Sequence, residues 1–314
     1  MGDSLDTIVS AANELYSIIN DEVSNQSTKK YKQNDKELTF AELTEWRNSG
    51  LPKELSSRYK ENKETWLIKD ELVLLMDWKL ANGKFRPTLP KLIKSNEEKD
   101  VESVTKEAFS IFLKGITFKS GKFNWSKASE EDIKQFKDTV KSALKKVCEL
   151  RGVGPATGSL ILSLLTDIEP SFAPPFMSDE SFLYYVVEAK RPGTPIKYNV
   201  KEYLEELLPV YLDILSKKSD LTFDLLEKGG WSLKSYELQR LFKLANVKIP
   251  FEVDEEQLKK YTTGDGKGSA KKESKAKVAK ESKKEPIKKE KETRKRKTEF
   301  KDVKPTTKSR KTKK

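Results

Sequence analysis

Leu150-Arg151-Gly152-Val153-Gly154-Pro155-Ala156-Thr157 separates two apolar patterns of helical period. Ile133, Phe136, Val140, Leu144 and Val147 precede it, and Leu160, Ile161, Leu164 and Leu165 follow. Two helices joined by so short a glycine turn form a helical hairpin, here over residues 131–166. Gly152 suits a helix end in the left-handed conformation, and Pro155 suits the first position of the next helix, where a missing N–H is no loss. Gly154, without a Cβ, lets a flat partner come close to the backbone. The unpaired amides at the helix start then present the positive end of the dipole, which favours a phosphate. The same residues would also serve an ordinary turn between packed helices.

Around this turn the charge pattern has a direction. Ser129 caps the first hairpin helix, and Glu130, Glu131 and Asp132 favour its N-terminus. Lys134, Lys137, Lys141 and Lys145 recur at i, i+3, i+7 and i+11, a stripe opposite the apolar face that runs towards Arg151. We therefore expect phosphates at the backbone of Gly152, Val153, Gly154, Ala156 and Thr157, with Lys145 and Arg151 beside them.

Further out, Leu5, Ile8, Val9, Ala12, Leu15, Ile18 and Ile19 trace an amphipathic helix, and residues 24–36 form a polar link. Thr39 with Glu42 makes a capping box before a short helix carrying Trp46, and Pro52 can start another. Leu67, Ile68, Leu72, Leu75 and Trp78 define a strong helix ending at Gly83, followed by a basic loop from Lys84 to Pro87. A helix over 101–113, one after Asp179, one over 200–216 kinked at Pro209, and a last one over 231–247 with Leu238, Leu241, Phe242 and Ala245 in the core complete the set. No run of period two stands out, so the expected fold is all-α.

The 314 residues carry 62 basic and 50 acidic side chains. Residues 264–314 hold 22 Lys and Arg against 8 Asp and Glu, which leaves 40 against 42 in residues 1–263. All the net positive charge thus lies in a tail too poor in apolar residues to build a core, and we expect a helical body at 1–263 with a disordered Lys/Arg-rich tail at 264–314. There is no histidine and one cysteine, Cys148, which excludes a Ser-His-Asp triad, a His-containing zinc site and an internal disulfide. No metal and no cofactor is expected. With no signal peptide and no apolar run long enough for a membrane, the expectation is an intracellular protein.

The hairpin resembles the helix-hairpin-helix motif of base-excision DNA glycosylases, Leu-Pro-Gly-Val-Gly-x-x-Thr-Ala, with Arg151 in place of the proline and Gly158 in place of the alanine. The likeness covers about Leu144 to Val187. In that family an essential aspartate follows the hairpin by some twenty residues, after a proline-containing loop and at a helix start. Phe172-Ala173-Pro174-Pro175-Phe176-Met177-Ser178-Asp179-Glu180 puts Asp179 in that place, in a loop a few residues longer than usual. The resemblance implies that the phosphates at the turn are those of DNA and that Asp179 assists cleavage of the base–sugar bond of a flipped-out base. A plainer reading is that Ser178, Asp179 and Glu180 are what any helix N-terminus prefers. Bifunctional relatives carry a nucleophilic lysine two residues after the second glycine, where this chain has Ala156, so the resemblance implies a monofunctional enzyme without lyase activity. The four-cysteine cluster of some relatives is missing, and Ser181 stands where many have histidine.

Of the five tryptophans, Trp46, Trp66, Trp78 and Trp231 sit in apolar helical patterns and read as core, whereas Trp125, among Lys122, Phe123 and Lys127, is a candidate base contact. In the tail, Arg294-Lys295-Arg296-Lys297 and the run from Lys308 through Arg310 and Lys311 to Lys314 match nuclear-import clusters, so an import receptor and a nuclear location are expected. Three functions follow: a monofunctional DNA glycosylase acting on double-stranded DNA, a non-catalytic DNA or chromatin binder, and a helical protein-interaction module.

Overall fold

The computed structural model describes residues 4–84, 86–117 and 123–252. The tail and its import clusters (Arg294, Lys295, Arg296, Lys297, Arg310, Lys311) lie outside them, as do Phe85 and Lys122. The described residues are mostly helical, as expected.

Helix α1 begins at Leu5–Ser10 and continues through a π turn into Tyr16–Asn25. The link after it, expected to be structureless, contains a small antiparallel hairpin of β1 (Tyr31–Gln33) and β2 (Lys36–Leu38). Its turn has Asn34 at φ 53°, a conformation asparagine tolerates, and only Tyr31 and Leu38 point into the core, too few to make a legible alternation. Helix α2 starts at Phe40–Glu45 under the Thr39/Glu42 capping box and runs through a π turn, Trp46–Gly50, into Leu51–Asn62. Pro52 explains that turn: its ring clashes with the carbonyl four residues back, at Asn48, and the helix widens there instead of stopping. Pro209 does the same further on.

Helix α3 is Lys69–Asn82, α4 is Leu89–Lys94, and α5 is Glu98–Gly115. Helix α6, Glu130–Val147, begins with a Ser129/Asp132 capping box and packs along α5. Helix α7, Pro155–Leu162, folds back on α6. Gly158 permits that contact, since a Cβ there would lie 3.0 Å from the side chains of Leu144 and Val147. Helix α8 begins at Asp179–Phe182 and continues to Lys190. Helix α9 passes from a π turn at Glu202–Leu207 into Leu208–Lys217, and α10 is Phe223–Gln239.

Two expectations fail here. The last helix starts at Phe223 rather than Trp231 and ends at Gln239, and Leu238, Leu241 and Phe242 are exposed (49%, 60% and 71%), as is Ala245, instead of in the core. Trp125 is no surface residue either. It is 3% exposed, ringed by Phe123, Phe136, Phe172 and Phe223, and its indole N–H donates to the Ser171 carbonyl at 2.9 Å. The polar letters around it belong to a short 3-10 turn whose aromatic member turns inward, because an indole gains more from burial than from solvent. It cannot meet a base.

Candidate functional site

The turn between α6 and α7 spans Cys148–Gly154. Gly152 takes φ +80°, but it sits inside the turn and does not terminate α6, which ends at Val147. The turn is clamped from α4's side. Asn96 accepts from the Arg151 amide at 2.8 Å and donates to the Arg151 carbonyl at 3.0 Å, and Gly152 lies against Leu92 and Ile93. Gly154, by contrast, has open space where a Cβ would stand.

The individual amides divide cleanly. Val153 donates to the Leu150 carbonyl at 3.1 Å and its side chain is buried, so Val153 offers no donor to a ligand, contrary to the sequence expectation. The amides of Gly152, Gly154, Ala156 and Thr157 have no acceptor among the described residues. Ala156 and Thr157 have buried side chains, so only their backbone could serve. Lys145 and Arg151 are exposed, with Lys134 and Lys141, whereas Lys137 is half-buried. Cys148 is half-buried beneath the turn, and burial pushes its thiol up to about 11, which makes it unreactive.

A cavity of about 240 Å³ joins this turn to Asp179. Gly152, Gly154, Pro155, Ala156 and Thr157 form one wall, and Phe176, Ser178, Asp179 and Glu180 form the next. The end of α3 with Lys79, Asn82 and Gly83, the following Lys84 and Arg86, and Tyr198 close it.

Asp179 is held there by a loop that the core pins down. Ser159 accepts from the Met177 amide at 2.9 Å, Tyr203 donates to the Pro175 carbonyl at 2.8 Å, and the hydroxyl of Ser178 lies 2.6 Å from buried Glu227. Ser178 also caps α8 by accepting from the Ser181 amide at 3.2 Å, so the plain helix-start reading holds alongside any chemical one. Tyr198 donates to Asp179 Oδ2 at 2.8 Å, and the Arg86 guanidinium lies 4.9 Å over the Tyr198 ring. The tyrosine occupies φ +57°, which costs a bulky residue on the order of 1 kcal/mol and must be enforced by its surroundings. Enforcement comes from Arg191, paired with Glu202 at 2.6 Å and Glu206 at 2.9 Å, while Glu202 also accepts from the Lys197 amide.

Electrostatically the cavity is divided. Burial, reinforced by the neighbouring Asp179, pushes the Glu180 carboxyl up to about 7. Burial lowers the Lys79 ammonium, against the pull of Asp179. A carboxyl and an amine that burial shifts towards their neutral forms face one space, an arrangement suited to proton transfer. Sequence reading identified Asp179 and the turn but missed Lys79, Glu180, Asn96 and Tyr198. Among these Glu180 stood beside Asp179 in the quoted helix start, and Lys79 carried a signal because it falls four and seven residues after Leu75 and Leu72, on the apolar stripe of α3.

No family model, no curated protein and no solved structure matches this chain.

Proposed function

We propose that this protein binds double-stranded DNA through a helix-hairpin-helix formed by α6, the turn and α7, and that it releases a base from a nucleotide received in the adjoining cavity. The observation that carries this reading is the shared wall: unpaired amides of the turn and the Asp179 carboxylate border the same space. A phosphate on those amides, with Lys145 and Arg151 alongside, brings the next nucleotide to the cavity mouth. There Asp179, oriented by Tyr198, stabilises the positive charge that grows on the sugar as the glycosidic bond breaks. The product is an abasic site. The basic tail adds phosphate affinity and takes the protein to the nucleus through an import receptor.

Incubating duplexes containing deaminated, alkylated or oxidised bases with wild type and Asp179→Asn tests the chemistry. Base release that falls at least a hundredfold in the variant supports it. A binder without chemistry is the second reading, favoured by the hydrogen bond from Tyr198 that already engages Asp179; duplex binding with no base released from any substrate decides for it. A tagged chain lacking residues 264–314 that still accumulates in the nucleus removes the import role.

A further inference from the structure

Base release leaves the end of α10 without a role. Among the described residues four large apolar side chains are exposed, and three of them, Leu238, Leu241 and Phe242, fall within five residues there. Scattered exposed leucines need no explanation, but an apolar cluster of this kind marks a surface that something covers. A frayed helix end would be the ordinary cause, and this end is not frayed. Gln26 donates to the Lys243 carbonyl at 2.6 Å, the Leu244 amide to the Gln239 carbonyl at 3.0 Å, and the Tyr236 hydroxyl to the Val247 carbonyl at 3.2 Å. Leu244 and Val247 are buried. The chain past Gln239 thus follows a fixed course that packs Leu244 and Val247 into the core and holds Leu241 and Phe242 in solvent.

Charge and shape select the occupant. Residues 238–251 contain Arg240, Lys243 and Lys248 and no acidic residue, in a body where acids slightly outnumber bases. Lys243 and Lys248 are exposed and have no carboxylate at ion-pair distance among the described residues. Lys243 also borders a cavity of about 310 Å³ walled by Val23, Tyr31, Phe40 and Ala81, which can receive an apolar side chain. We propose that the end of α10 is a docking surface for an acidic amphipathic helix of another protein. Its apolar side chains cover Leu238, Leu241 and Phe242 and enter the cavity beside Lys243, while its Asp and Glu side chains meet Lys243 and Lys248. A second copy of this chain fits poorly, because a two-fold contact would set each basic cluster against its own image. A bilayer surface carries the right charge but takes up a long apolar helix face, which three side chains do not supply, and it would leave the cavity unfilled. The surface shares no residue with the space around Asp179, so it does not depend on base release.

The test uses the full chain and a fluorescein-labelled synthetic helix of Leu, Trp, Glu and Ala with its apolar residues at i, i+3, i+4 and i+7. A scrambled peptide of the same composition measures what the basic tail contributes through charge alone. Anisotropy should show saturable binding of the amphipathic peptide, at least tenfold tighter than of the scrambled one. Phe242→Ser should remove that difference while leaving thermal unfolding unchanged, because the exposed ring adds nothing to the core; Leu241→Ser takes its place if unfolding does change. Lys243→Glu should weaken the amphipathic peptide more than the scrambled one. Absence of saturable binding, equal affinity for the two peptides, or full affinity in Phe242→Ser overturns the proposal. Sedimentation showing a dimer that Phe242→Ser dissociates also overturns it and assigns the surface to a second copy. Flotation with phosphatidylserine vesicles that is lost in Phe242→Ser overturns it in favour of a bilayer.

Discussion

Gly152 and Gly154, two residues apart, should fail in opposite ways when substituted. At Gly152 the backbone is at φ +80°, where any L side chain pays about 1–2 kcal/mol, and a Cβ would stand 3.1 Å from Leu92 and 3.2 Å from Ile93. Those side chains must give by a few tenths of an ångström, so Gly152→Ala should cost about 1–3 kcal/mol in all. For a helical body of this size that is a fall in Tm of about 3–10 °C. At Gly154 the backbone is extended, with φ −103°, and nothing lies within 4 Å of a built Cβ. Gly154→Leu should therefore leave Tm within about 1 °C, since surface substitutions without strain cost about 0.5 kcal/mol or less. Its side chain would instead occupy the approach to the amides of Gly154 and Ala156. Losing one amide–phosphate bond, about 1.5–3 kcal/mol for a charged acceptor, weakens duplex binding by about ten- to 150-fold. Calorimetry and fluorescence anisotropy with a short labelled duplex read both quantities, best in a chain ending at Thr263, where the body forms a compact unit by itself. A Gly154→Leu protein that unfolds and binds like wild type would refute the claim that these amides hold a phosphate.

Trp125→Ala should destabilise the body by about 3–5 kcal/mol, as loss of a large aromatic from a packed cluster does, with unchanged affinity per folded molecule; normal unfolding combined with lost DNA binding would restore the base-contact role. Glu227 predicts a pH dependence. Burial, against the pull of Arg47, pushes its carboxyl from 4.5 up to about 7, so the folded chain keeps a proton that the unfolded chain gives up. Its stabilising contribution is then complete below about 4.5 and is lost as pH rises through about 7, roughly 3 kcal/mol over that window. Denaturant midpoints taken across pH 4.5–8 should fall less steeply for Glu227→Gln than for wild type, and equal slopes would show that this carboxyl is not what titrates.

The parts of the fold that could be read from the sequence are those written in local spacing. Thr39 with Glu42, Ser129 as the cap of α6 and the apolar set of α6 each depend on residues within a turn or two, and the structure has them as read. What was misread depends on long-range partners. Trp125 has polar neighbours in sequence but aromatic neighbours from α6, α10 and the loop at Phe172, and no window along the chain contains that information. Leu241 and Phe242 continue the helical period of Leu238 beyond Gln239, yet period alone does not supply an element for the three to cover, and they stay exposed. The cavity follows the same division. Asp179 and the glycine turn were legible as motifs, whereas Tyr198 and Asn96 reach the site from links elsewhere in the chain, and the loop leading to Asp179 and Glu180 is pinned by Ser159 and Tyr203. Lys79 lies between these cases: a cation on the apolar stripe of α3 breaks the local rule without a helix partner to neutralise it. Such a break is retained where the charge faces a space shared with carboxylates, and the space here is the one that also holds Asp179 and Glu180.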